Sequence, residues 1–191
     1  METENTPFPI VGNEVLLPLL DEYNSLSLGS LNSSGYLERK LPLGFKIGEL
    51  VLAKAQWLID FVSAFPSGEW DSARLFEHED SFFAQVRRYK RFCKNIKPFA
   101  NLSGKITFWG YSDKEFSFSY ITGYDEDCPE SDYIGFPEEY ICENDESALK
   151  DKILIDARAL LTKSVQNLRA KVGEELLCWG CIHSQLEKKG L

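Results

Sequence analysis

Histidine is scarce in this chain of 191 residues: His78 and His183 are its two copies, and methionine occurs once. Imidazole is the side chain whose ordinary pKa lies nearest neutral pH, so this scarcity restricts acid–base chemistry there. His78 stands in Glu77-His78-Glu79-Asp80. On a helical wheel it falls with Tyr89 and Ile96 while Glu77 and Asp80 point elsewhere, as for a packed histidine and not a catalytic one. The Gly-x-Ser-x-Gly elbow, the phosphate-cradling glycine loop and the His-Glu-x-x-His metal helix are all missing. No two carboxylates are placed so as to single out an acid and a base. An enzyme would have to assemble its site in three dimensions, from His78 with nearby carboxylates or from Cys178 and Cys181, and no cofactor is expected.

Long apolar runs are also missing. No stretch approaches the length of a membrane span, and the first residues, METENTPFPIVGNEVLLPLL, have no basic start and an apolar run interrupted by Pro18. A soluble, cytoplasmic protein is expected. Five cysteines at irregular spacing do not make a secreted disulfide framework. Cys178 and Cys181 form Cys-Trp-Gly-Cys with His183 just beyond, and Cys128 and Cys142 are too far apart in sequence to give a zinc motif its usual second pair. Reduced, partly buried thiols are the reading, and no metal site is assigned.

Two segments each lack charge of one sign. From Ser81 to Ser112 there is no carboxylate, yet Arg87, Arg88, Lys90, Arg91, Lys94, Lys97 and Lys105 occur. From Asp125 to Glu146 there is no Lys or Arg, yet Asp125, Glu126, Asp127, Glu130, Asp132, Glu138, Glu139, Glu143, Asp145 and Glu146 occur. The simplest account is that the two face each other, although exposed pairs contribute little individually. The acidic segment exceeds what the basic one can neutralise, so part of its field should point outward.

What is present in abundance is aromatic: 13 Phe, 8 Tyr and 4 Trp. Lys105–Tyr124, KITFWGYSDKEFSFSYITGY, alternates aromatic with small or polar residues on both sides of Ser112, Asp113 and Lys114, which predicts a β-hairpin. Residues 1–13 read as a loose lead-in. Leu and Ser alternate after Tyr23, which predicts a second hairpin turning near Asn32–Gly35. Apolar spacing predicts helices over 45–65, from about Asp71 or Ser72 to Ile96, and over 147–177 with Asn144 or Asp145 as cap. The expected fold is a single α+β domain of order ββααββα: an antiparallel sheet of about four strands in two hairpins, with three helices.

Function is then read from charge. The 125–146 stretch, expected to be mostly loop, carries Tyr133, Phe136 and Tyr140 among Asp125, Glu126, Asp127, Glu130, Asp132, Glu138 and Glu139. Carboxylates speed encounter with a basic protein, and rings between them provide anchors that displace water. The expectation is an acidic inhibitor or immunity-type neutraliser that binds a basic, nucleic-acid-binding protein partner. Direct nucleic-acid binding is disfavoured by the net charge of −9, although Trp109, Tyr111, Phe116, Phe118 and Tyr120 have the chemistry to stack on bases. The length of the 147–177 helix leaves room for a homodimer seam.

Overall fold

The computed structural model describes residues 7–26, 33–64, 81–95, 105–125 and 128–160, with a few helical positions beyond. His78, Glu126, Asp127, Cys178, Cys181 and His183 lie outside the described residues, as does the turn expected at Asn32. The chain is of the α+β class, but its order differs from the expected one. Helices come first: α1, Asn13–Ser25, then α2, Leu41–Ser63, then α3, Phe82–Asn95. Strands β1 (Thr107–Ser112), β2 (Glu115–Asp125) and β3 (Cys128–Pro137) follow, then a short α4, Glu138–Ile141. Residues 146–160 form the last helix, α5.

The N-terminal hairpin is therefore corrected to helix at both ends, up to Ser25 and from Ser33, and residues 27–32 between them lie outside the described residues. Tyr23 closes the buried stripe of α1 with Leu16 and Leu20, at helical spacing. Pro18 lies within α1 and is exposed, so its missing N–H faces water. Residues 33–40 are also helical: a turn at Ser33–Gly35 runs into a π-helical turn, Tyr36–Lys40, that continues directly into α2. Lys40 Nζ donates to Leu26 O at 2.8 Å and lies 4.5 Å above the Tyr23 ring. A cation is thereby placed at the carboxyl end of α1, where the helix dipole favours one.

Helix α2 buries Leu43, Ile47, Val51, Ala55, Leu58, Ile59 and Val62. Gly48 faces β1 so closely that a Cβ there would come 3.0 Å from Phe108 Cβ. The sheet has order β1-β2-β3, antiparallel throughout. Its Phe116, Phe118, Tyr120, Ile134 and Phe136 share one buried cluster with the apolar residues of α2, with Phe82, Val86 and Tyr89 of α3, and with Leu149, Ile153 and Ala157 of α5; Phe82 meets Phe136 and Tyr89 meets Tyr120, with centroids 5.1 Å and 4.8 Å apart. The architecture, among the described residues, is thus one three-stranded sheet with helices covering one face, and the described part of the α5 stripe is spent inside the chain.

The segment before α1 is not loose where it is described. Val11 is buried, and the Asn144 amide pairs with its backbone twice, accepting from Val11 N and donating to Val11 O, both at 2.8 Å. Asn13 Nδ2 donates to Cys142 O at 2.8 Å. Asn144 thus clasps the lead-in, while Asp145 caps α5 by accepting from Ala148 N at 3.0 Å.

Candidate interaction surface

The face of the sheet turned away from the helices begins at its hairpin. Ser112 pairs with Glu115 across Asp113 and Lys114, whose φ angles are 51° and 60°. Two successive positive φ values are those of a type I′ turn, whose twist matches the flanking strands. Within β1 the register moves from Phe108↔Phe118 to Gly110↔Ser117, so Trp109 is the extra residue of a β-bulge. A bulge re-aims the side chain it carries. Phe108 packs inward on Phe118, centroids 5.9 Å apart, while Trp109 emerges outward and is 62% exposed.

Alternation along β2 then assigns the rest. With Phe116, Phe118 and Tyr120 inward, Ser117, Ser119 and Ile121 face outward, and Ser119 pairs with Thr107 on one side and Tyr133 on the other. Tyr133 is 40% exposed. Its ring meets that of Trp109 across β2, centroids 5.5 Å apart and planes at 58°. Strands one and three of a sheet are separated by roughly 10 Å, so two rings close this gap only where the middle strand offers small side chains. Ser117 and Ser119 provide them. The Thr107 and Ser119 hydroxyls lie 3.0 Å apart, one donating to the other. Glu115 completes the face: its carboxylate lies over the backbone of Gly135, occupying the place where a side chain there would start. It forms no ion pair with any described residue.

The β3 edge is closed to strand addition at two points. Gly135 N donates to Gln85 Oε1 of α3 at 2.6 Å, and Tyr133 N donates to Asp132 Oδ1 at 2.8 Å. Side chains that occupy edge amides block pairing with a foreign strand.

The carboxylates and rings expected in an acidic loop are distributed differently. Residues 128–137 are strand β3 and 138–141 the short α4, so the mostly irregular loop is corrected to regular structure. Phe136 and Tyr140 are buried in the core and cannot anchor a partner. Asp132 accepts from Tyr120 Oη at 3.1 Å, Glu138 accepts from Tyr111 Oη, and Tyr140 Oη donates to Asp156 Oδ2 at 2.6 Å. Burial first, and these carboxylates second, raise the pKa of Tyr111 and Tyr140, and burial with the Asp132 charge does the same at Tyr120. Glu139 pairs with Lys152 at 3.2 Å and Glu146 with Lys150 at 2.6 Å, both exposed. Glu130 is exposed, and Asp125 belongs to the end of β2. The acidic segment is therefore partly engaged by tyrosine hydroxyls and by lysines of α5. Lys90, in contrast, pairs with Asp60 of α2 at 3.0 Å. Of the rings considered for base stacking, Phe116, Phe118 and Tyr120 are buried and Tyr111 is half-buried, leaving Trp109 outward.

One buried polar group was missed by sequence reasoning. Lys54, placed between the apolar positions of α2 by its charge, is wholly enclosed. Its Nζ donates to Glu143 O at 2.6 Å and lies 3.6 Å from the Phe8 ring centroid. Burial lowers its pKa to about 8, against the opposing pull of Glu143. The helical spacing Val51, Lys54, Leu58 was the available signal. Nearby Cys142 has its thiol pushed up to about 11, chiefly by burial, which makes it a poor nucleophile. Among the described residues no group of His, Cys, Asp and Glu could hold a metal ion, and no helix is long and apolar enough to cross a membrane.

Compared with known protein families, with curated proteins and with solved structures, the chain matches none.

Proposed function

We propose that the protein works by binding another macromolecule, a basic protein, through the open face of its sheet, and that it does so as an inhibitor or immunity-type neutraliser. The observation that supports this is the exposed Trp109–Tyr133 pair, set on small hydroxyl side chains in a chain of net charge −9. Trp and Tyr provide large, stiff contact area with little rotamer freedom to lose, and Ser and Thr around them provide adaptable hydrogen bonds. Nothing among the described residues requires those two rings to face water, since leaving large apolar groups exposed forgoes the gain of burial. The net negative charge speeds encounter with a cationic surface. Relative to the sequence expectation, the contact keeps Tyr133, loses Phe136 and Tyr140, which the core uses, and gains Trp109.

The test is affinity capture from the native host with the tagged wild-type chain and a Trp109→Ala/Tyr133→Ala double variant, in low and high salt. The wild type should retain a basic protein in a salt-sensitive manner, and the double variant should lose it while keeping its thermal midpoint. Equal retention by both would remove the open face from consideration.

A further inference from the structure

The outward face carries one carboxylate close to its aromatic pair. We propose that Trp109, Tyr133 and Glu115 form a subsite for an arginine side chain of the basic partner; this rests on the open face being the contact surface. Glu115 pairs with Pro137 at the hairpin end, but its carboxylate reaches back over Gly135, two residues from Tyr133 on the same strand. Two residues along a strand are roughly 7 Å, and residues i and i+2 share a face. A guanidinium laid on the Tyr133 or Trp109 ring therefore has the Glu115 carboxylate within reach of its nitrogen fork.

Three features point to arginine. The rings meet at 58°, a corner that accepts one planar group stacked on one wall, and the Glu115 carboxylate beside it in a chain of net charge −9 favours a planar cation there. Neither Trp109, Tyr133 nor Glu115 has a cationic partner among the described residues. The site is thus chemically complete except for the cation. Finally, guanidinium can stack through its plane and bond through its edge at the same time, while an ammonium is a compact, strongly hydrated point charge that does only one of these well. Gly135 is part of the device: a side chain there would displace Glu115 from its place.

The experiment titrates two blocked peptides, Gly-Gly-Arg-Gly-Gly and Gly-Gly-Lys-Gly-Gly, into the isotope-labelled full chain and follows the indole N–H of Trp109 and the amides of 115, 133 and 135 by NMR. The arginine peptide should shift these signals saturably, and the lysine peptide should bind at least about fivefold more weakly. Glu115→Gln should weaken arginine binding about five- to tenfold and bring the two peptides level, since the charge-assisted fork is lost while the rings remain. Tyr133→Ala should weaken both. All three positions are exposed, so retained spectral dispersion will confirm that the variants fold. Equal affinity for the two peptides, indifference to Glu115→Gln, or no shift at all would each overturn the arginine subsite. Because the probes are chosen without reference to the natural partner, these failures can coincide with capture that still depends on Trp109 and Tyr133. The contact face would then stand and its arginine specificity would not.

Discussion

The two faces of one strand differ in everything but sequence distance. Phe116, Phe118 and Tyr120 point one way and are buried, while Ser117, Ser119 and Ile121 point the other way and remain at the surface. The inner face is a packing problem with one solution: Phe118 meets Phe108 and Phe136 edge-on, with centroids 5.9 Å and 5.1 Å away. The outer face has no such closure, and among the described rings Trp109 and Tyr133 meet only each other. The inner face therefore carries stability and the outer face is free to carry recognition.

Mutation should separate them sharply. Phe118→Ala should cost about 3–5 kcal/mol in urea unfolding, the usual range for emptying a closed aromatic site. A smaller loss would mean that the inner face can collapse around the gap.

The helical layer behind that face offers a pH test through Lys54. Its folded pKa, about 8, lies below the 10.5 of a free lysine, so the unfolded chain binds more protons between these values and stability rises with pH there. Cys142, raised from 9.0 to about 11, acts oppositely: its contribution is present below about pH 9 and is lost above it. Tyr111, Tyr120 and Tyr140, also raised, add to that loss above pH 10. Unfolding free energy should thus climb by about 1 kcal/mol from pH 7.5 to 9 and then fall. Lys54→Met should abolish the climb and keep the fall; a climb that survives the substitution would point to another group.

The hairpin shared by both faces is tuned by its turn. Lys114 adopts φ 60°, which glycine reaches without the side-chain crowding that costs other residues about 1–2 kcal/mol. Lys114→Gly should raise the thermal midpoint, with a gain of about 1 kcal/mol after glycine's own entropy is counted. On the outer face itself, Ser119→Ala should change stability by less than about 0.5 kcal/mol, the ordinary range for surface positions. A loss comparable to that of Phe118→Ala would erase the distinction between the two faces.

How much of this was legible depended on which physical force set the pattern. The central hairpin was readable because period-2 alternation and the Ser-Asp-Lys break agree, and the stripe of α2 because Ile47, Val51, Leu58 and Val62 repeat with the helix. The start of the expected hairpin misled because Ser-Leu alternation imitates a strand, whereas Tyr23 is the last member of the Leu16, Leu20, Tyr23 helical series. In β3, Pro129, Pro137 and the carboxylates suggested a loop. Pairing with the long β2 supplied the order that local preference did not. The Trp109–Tyr133 pair was hidden for a different reason: a bulge reverses the inside–outside alternation of β1, and ring contact across a middle strand is a property of three strands together.

The clasp between Asn144 and Val11 joins groups 133 positions apart in the chain. At ribosomal rates of roughly 5–20 residues per second, that separation takes on the order of 7 to 27 s to synthesise. Through that interval Val11 lacks the Asn144 amide and Lys54 lacks the Glu143 carbonyl, although Phe8, Lys54 and Trp57 are already present in the chain. A chain stalled before Glu143 would therefore hold the Lys54 ammonium against Phe8 with its carbonyl acceptor still missing.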